Sequence, residues 1–212
     1  MVGAGPGGRR GHAGVLARRR GGGDVTAALV GGVPITVAQV DERERVLREG
    51  NSAAALPRPG TSEGRQLRRW LTQLLAAERV VELEAGTPGH VPTQEEILPD
   101  MTARLEIGSI AAAVLSTPAG RAAFAAVTAG VDVTDIEIAD YHRRNPGRFG
   151  PRRSVPLALD EAYLLIAEHL RSAAQRRAFR QWLDARTAEL VQLAPGYEHP
   201  GDPRQPDNTH RH

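Results

Sequence analysis

The chain has no cysteine. A disulfide framework, a thiolate nucleophile, a sulfur-ligated zinc site and lipid attachment through Cys are therefore excluded. It also has no lysine, so all 27 basic residues are arginine. Aromatic residues make up only 4%, and a buried core has to rest on Leu, Val, Ile and Ala. No apolar run approaches the roughly 18 residues of a membrane span, which excludes a spanning helix. The longest apolar piece of the leader, Val15-Leu16-Ala17, is too short for a secretory signal, which needs about 7–15 apolar residues, so the expected compartment is the cytoplasm. Charge of one sign is scarce as well. The formal net charge is +2 despite a pI near 9.6, and the one dense basic cluster sits in a Gly-rich leader. A nucleic-acid-binding face is not expected.

What is present is an ordinary globular balance, 41% apolar and 25% charged over 212 residues. Residues 1–23 read as a disordered basic leader, residues 24–194 as one helical domain, and residues 195–212 as a polar His/Asp/Pro tail. Residues 25–30 and 33–35 flank Gly31-Gly32, the pattern of a short β-hairpin. Thr36 with Gln39, Thr93 with Glu96 and Thr134 with Glu137 are three capping boxes, each opening a helix. The first of these helices puts Val37, Val40 and Leu47 on one face and mostly solvated charge at residues 41–45, and it stops at Gly50. Residues 62–85 carry Leu67, Trp70, Leu71, Leu74 and Val81 at helical spacing, up to the stop at Gly86 and Pro88.

Pro99 interrupts the next segment. Residues 101–115 are apolar at Leu105, Val114 and Leu115, and Thr117-Pro118 restarts a helix that closes at Gly130. The helix opened by Thr134 ends at Asn145-Pro146. A long helix over about residues 160–190 follows, and its apolar stripe changes sides. Tyr163, Ile166, Leu170 and Ala173 share one face, whereas Phe179, Leu183 and Leu190 lie roughly opposite. One helix touching two different partners, or a break near Ala174, would account for this, and the first is preferred. The fold class expected is mainly α, with a short N-terminal β-hairpin and a long C-terminal helix.

Three segments in order resemble the SurA-type peptidyl-prolyl isomerase and trigger-factor-like chaperone superfamily. They are residues 30–36, the Leu-rich helix of residues 67–85 with Glu78 and Glu84, and residues 133–141 leading to Asn145-Pro146 and Arg148-Phe149. The closing helix with Phe179-Arg180-Gln181-Trp182-Leu183 is similar to that family's last helix. The resemblance implies a helical cradle that binds extended, apolar polypeptide. In the family a parvulin isomerase domain follows the Asn-Pro turn. Here the gap between Phe149 and Asp160 is far below the roughly 50 residues a domain needs, so isomerase catalysis is not carried over. Small proteins of this kind also resemble accessory proteins encoded beside aromatic polyketide synthases in actinobacteria. Some of those carry an acyl-transferase label, but the Gly-His-Ser-x-Gly elbow that such chemistry needs is missing.

The candidate chemistry is sparse. Tyr197, Glu198, His199, Asp202, Asp207, His210 and His212 crowd the tail, and imidazole and carboxylate groups can serve acid–base or ligand roles. An unstructured tail is preferred over a docked functional segment or a metal site, so no metal is expected. The Gly-rich segments form no phosphate loop and no serine has a nucleophile's surroundings, so no cofactor is expected. Trp70, Tyr141, Tyr163 and Trp182 are candidate ligand-binding walls if a cavity exists, with plain packing as the competing role. Two function classes follow. The first is a binding module for an apolar polypeptide segment or a pathway enzyme, without membrane or nucleic acid. The second is an enzyme that turns over a polyketide-like small molecule with Tyr197, His199 or Asp202.

Overall fold

The computed structural model describes residues 25–51, 53–84, 89–150 and 156–202. The expected leader, the Gly86-Pro88 helix stop and the tail beyond residue 202 lie outside them. Strands β1 (Thr26–Val30) and β2 (Val33–Thr36) form the expected antiparallel hairpin. Gly31 and Gly32 turn it at φ +55° and +84°, a pair of values that suits glycine. Thr36 then caps α1 (Val37–Glu49) in a complete capping box with Gln39.

Helix α2 (Ser62–Glu84) is the axis of the domain. Leu71, Leu74, Ala76, Ala77, Val80 and Val81 are all buried along it, because α1, β1 and the later helices surround it. Arg68 binds Asp41 and Glu44, and Arg43 binds Glu78, which ties α1 to α2. Glu44 was expected on a solvated face. It is instead buried, held by Arg48 and Arg68.

Four short helices follow: α3 (Gln94–Ile97), α4 (Met101–Ile107), α5 (Ser109–Val114) and α6 (Pro118–Thr128). Asp100 caps α4 by accepting from the Ala103 N–H. Gly108, at φ +88°, separates α4 from α5. Leu105, one of the apolar positions of this segment, is 74% exposed. The sixth helix ends at Thr128 with Ala129 as its cap, just before Gly130.

Helix α7 (Asp135–Arg144) opens with the third capping box, and α8 (Leu159–Leu190) runs 32 residues, about 48 Å at 1.5 Å per residue. Its two faces do serve two cores. Ala162, Ile166 and Ala167 close a small cluster with Ile138 of α7, whereas Phe179 and Leu183 join the main core around α2. The chain then passes directly into a strand that periodicity did not suggest, β3 (Val191–Leu193). It pairs antiparallel with β1 and gives the order β2-β1-β3. Among the described residues, no helix is long and apolar enough to cross a membrane.

Candidate functional site

The clefts of this molecule follow from the way α8 is shared. Leu183 and Phe179 are buried in the main core, and the same helical face continues N-terminally through Arg176, Ser172, Glu168, His169 and Leu165. Over those turns the face is not packed shut. It looks across at α3 and α4 as two adjoining clefts of about 400 and 450 Å³. Both are lined by Glu96, Glu168, Ser172 and Arg176. The first adds His90, Ile97 and, from α6, Phe124 and Thr128, while the second adds Asp100, Glu106, Arg148 and Leu165. Leu165, 48% exposed, is the apolar residue that α8 contributes to the second cleft, and Met101, Leu105 and Leu164 are exposed on the same helices outside the lining.

Arg176 sits where the clefts meet and is 7% exposed. Its terminal nitrogens donate to the Ile97 carbonyl at 3.4 Å and to Glu106 Oε2 at 3.1 Å, and its Nε is buried without a partner. A guanidinium so placed is costly unless its pairing is good, and half-exposed Glu106 neutralises it only in part. Around it carboxylates predominate: Glu95, Glu96, Asp100, Glu106 and Glu168 against Arg148 and Arg176. Glu96 is committed to its capping box, whose backbone and hydroxyl donors from Thr93 hold its carboxyl below the usual range.

His169 lies at the wall of the second cleft. Its ring packs 5.5 Å from Tyr141 and 5.8 Å from Phe149, and Nε2 is 3.2 Å from the Tyr141 hydroxyl. Partial burial depresses its pKa. Arg148 and Arg176 push it the same way, while Glu106 and Asp100 oppose them. The folded pKa therefore lies below the unfolded value of about 6.5, and unfolded chains bind more protons between the two. The resulting stability is present above about pH 6.5 and is lost as pH falls through the folded pKa. His169→Gln should accordingly reduce the drop in urea midpoint between pH 7.5 and 5.5. An undiminished drop in the variant would dissociate His169 from that pH dependence.

The residues singled out in the sequence do not converge on one place. Tyr141 reaches the second cleft through His169, and Tyr163 hydrogen-bonds Asp135 on the exposed side of α7. Trp182 stacks on Phe179 at 5.6 Å, and Trp70 donates from Nε1 to Ser109 Oγ. Both indoles pack against the main core rather than lining these clefts. In the tail, Tyr197 packs on the main core beside Arg68. His199 and Asp202 share a turn in which the Asp202 N–H donates to the His199 carbonyl. The Gly201 N–H donates to His199 Nδ1 at 3.0 Å, so neutral His199 carries its proton on Nε2. Among the described residues, no three His, Asp or Glu gather as a metal site.

Arg176, Glu168, Ser172 and Leu165 were not singled out from the sequence. One signal was available: Arg176 lies three and seven residues before Phe179 and Leu183, on the buried stripe.

A family of unknown function (DUF7158) matches residues 26–63, which cover the hairpin, α1 and the start of α2. The residues lining the clefts fall outside that stretch. No curated protein and no solved structure matches the chain.

Proposed function

We propose that this chain is an isomerase-less, SurA-like binding protein of the cytoplasm that holds an extended polypeptide segment in the clefts between α3–α4 and α8. The observation carrying the reading is the continuous α8 face from Leu165 to Arg176, left open opposite α4, with exposed Leu165 on it and Ile97 and Phe124 in the adjoining wall. Apolar side chains of the segment would bury against those residues at roughly 25 cal/mol per Å², before ordering costs. The surplus of carboxylates selects segments whose apolar stretch is flanked by Lys or Arg. The order of elements also supports the kinship, since α8 follows the Asn145-Pro146 turn after a short link and packs on α2, α4, α6 and α7. The tail favours binding over catalysis. His199 Nδ1 accepts from the Gly201 N–H, and Tyr197 packs half-buried against the main core beside Arg68, so both are engaged in the tail's own structure.

The test is fluorescence anisotropy with labelled 12-residue peptides that share an apolar centre and carry either Arg or Glu flanks. The Arg-flanked peptide should bind more tightly, with the difference shrinking as salt is raised. Leu165→Asp should weaken it by about tenfold or more, since it puts a charge where apolar area is buried. Val46→Asp, on the exposed face of α1, should leave binding unchanged. Equal binding by wild type and Leu165→Asp, or preference for Glu flanks, would remove the reading.

A further inference from the structure

A third cleft, of about 390 Å³, lies among α2, α5, the C-terminal half of α8 and His199. It is separate from the polypeptide clefts and shares no lining residue with them. Its walls are apolar, with Ala77, Ile107, Ile110, Ala111 and Leu183 contributed by α2, α4, α5 and α8. Its polar groups are mostly donors. Gln73 is the buried polar residue of the lining, 8% exposed, and its Nε2 is buried with no acceptor. Ser109 Oγ accepts from Trp70, which leaves its own O–H to donate, and His199 presents an Nε2–H.

The charged groups of the lining cancel. Arg180 Nε lies 3.7 Å from Asp184 Oδ2, and the Arg180 guanidinium also donates to the Glu106 carbonyl. A carboxylate ligand would meet Asp184 without a free cation to hold it. A neutral oxygen acceptor meets donors from three elements instead. An unpaired buried amide destabilises a fold that leaves it so, and an incoming acceptor relieves that cost.

We infer that this cleft binds a small neutral amphiphile, an aliphatic body carrying a carbonyl oxygen that accepts from Gln73 and His199. The volume is at the low end for small-molecule sites and suits a chain of moderate length. The apolar body lies along Ile107, Ile110 and Leu183.

The probe is 2-octanone, titrated into the full chain and followed by calorimetry and by the NMR signals of the His199 ring. Saturable binding with a His199 shift is expected, with octanoate at pH 7.5 binding more weakly. Gln73→Leu keeps the side chain's bulk, removes the stranded donor, raises the denaturation midpoint and should weaken 2-octanone binding by about tenfold. Ala188→Trp, at an exposed position of the rim, should block entry without disturbing the core. Octanoate binding more tightly than the ketone would overturn the assignment. So would 2-octanone binding unchanged in both variants, or no binding up to its solubility limit.

Discussion

Gly120→Ala is expected to destabilise the protein by about 3 kcal/mol or more, at the upper end of what overpacking costs. A Cβ at residue 120 would stand 2.1 Å from the Val114 carbonyl oxygen, 2.7 Å from its carbon and 2.9 Å from Val114 Cγ1. Two of those atoms are backbone, and Val114 is fully buried, so neither side can withdraw cheaply. Thr117 locks the approach from both directions. Its hydroxyl donates to the Val114 carbonyl at 2.8 Å and accepts from the Gly120 N–H at 3.0 Å. Urea denaturation of this variant beside Gly130→Ala measures the effect. At Gly130 a Cβ meets nothing within 4 Å, and the change should be neutral or slightly stabilising. A loss under 1 kcal/mol for Gly120→Ala would show that α6 can shift away from α5.

The same device recurs at the start of α2. Thr61 donates to the Arg58 carbonyl and accepts from the Gly64 N–H, and a Cβ on Gly64 would lie 2.3 Å from that carbonyl. In both places a Thr-x-x-Gly sequence folds the preceding turn tightly over the first turn of a helix. The consequence for function runs through α6, because Phe124 and Thr128 line the first cleft three turns or less beyond Gly120. Loosening the α5–α6 corner therefore moves a wall of the proposed polypeptide site as well as the core.

Much of the architecture could be read from local pattern because its causes are local. All three Thr-x-x-Gln/Glu capping boxes are present, and the Gly31-Gly32 turn needs only the two residues it contains. The reversal of the stripe on α8 is a property of one helix and correctly implied two partners. What escaped is what depends on distant residues. Val191, Gln192 and Leu193 are too few to show a period, and they form a strand only because β1 offers an unpaired edge. Gly64 and Gly120 look like ordinary helical glycines until a carbonyl from the previous turn is placed over them. Leu105 is apolar, yet it stands exposed on α4 outside the cleft lining. The cleft draws its residues from α3, α4, α6 and α8, whose juxtaposition no single window of sequence contains.

Phe179→Ala should cost about 3–5 kcal/mol, the range for removing a buried phenylalanine. The ring is fully buried, lies 5.4 Å from Phe124 at a tilt of 57°, and is stacked on Trp182. The chain has only three Phe, and the core around it is largely Ala, Val and Leu, so few neighbours are long enough to refill the hole. Partial collapse is the alternative to a full cavity, and it would draw α6 toward α8 and narrow the first cleft. Phe179 is also the point on α8 where the buried stripe gives way to Arg176, which makes it the anchor that sets the open face opposite α3 and α4. Peptide affinity at 10 °C, where the variant remains folded, should therefore fall together with stability. Ile166→Ala, in the smaller cluster with α7, should cost about 2–5 kcal/mol yet leave the position of Arg176 intact and peptide affinity nearer to wild type. Equal losses of affinity in the two variants would mean that the clefts report general loosening of α8, and the anchoring role of Phe179 would fall.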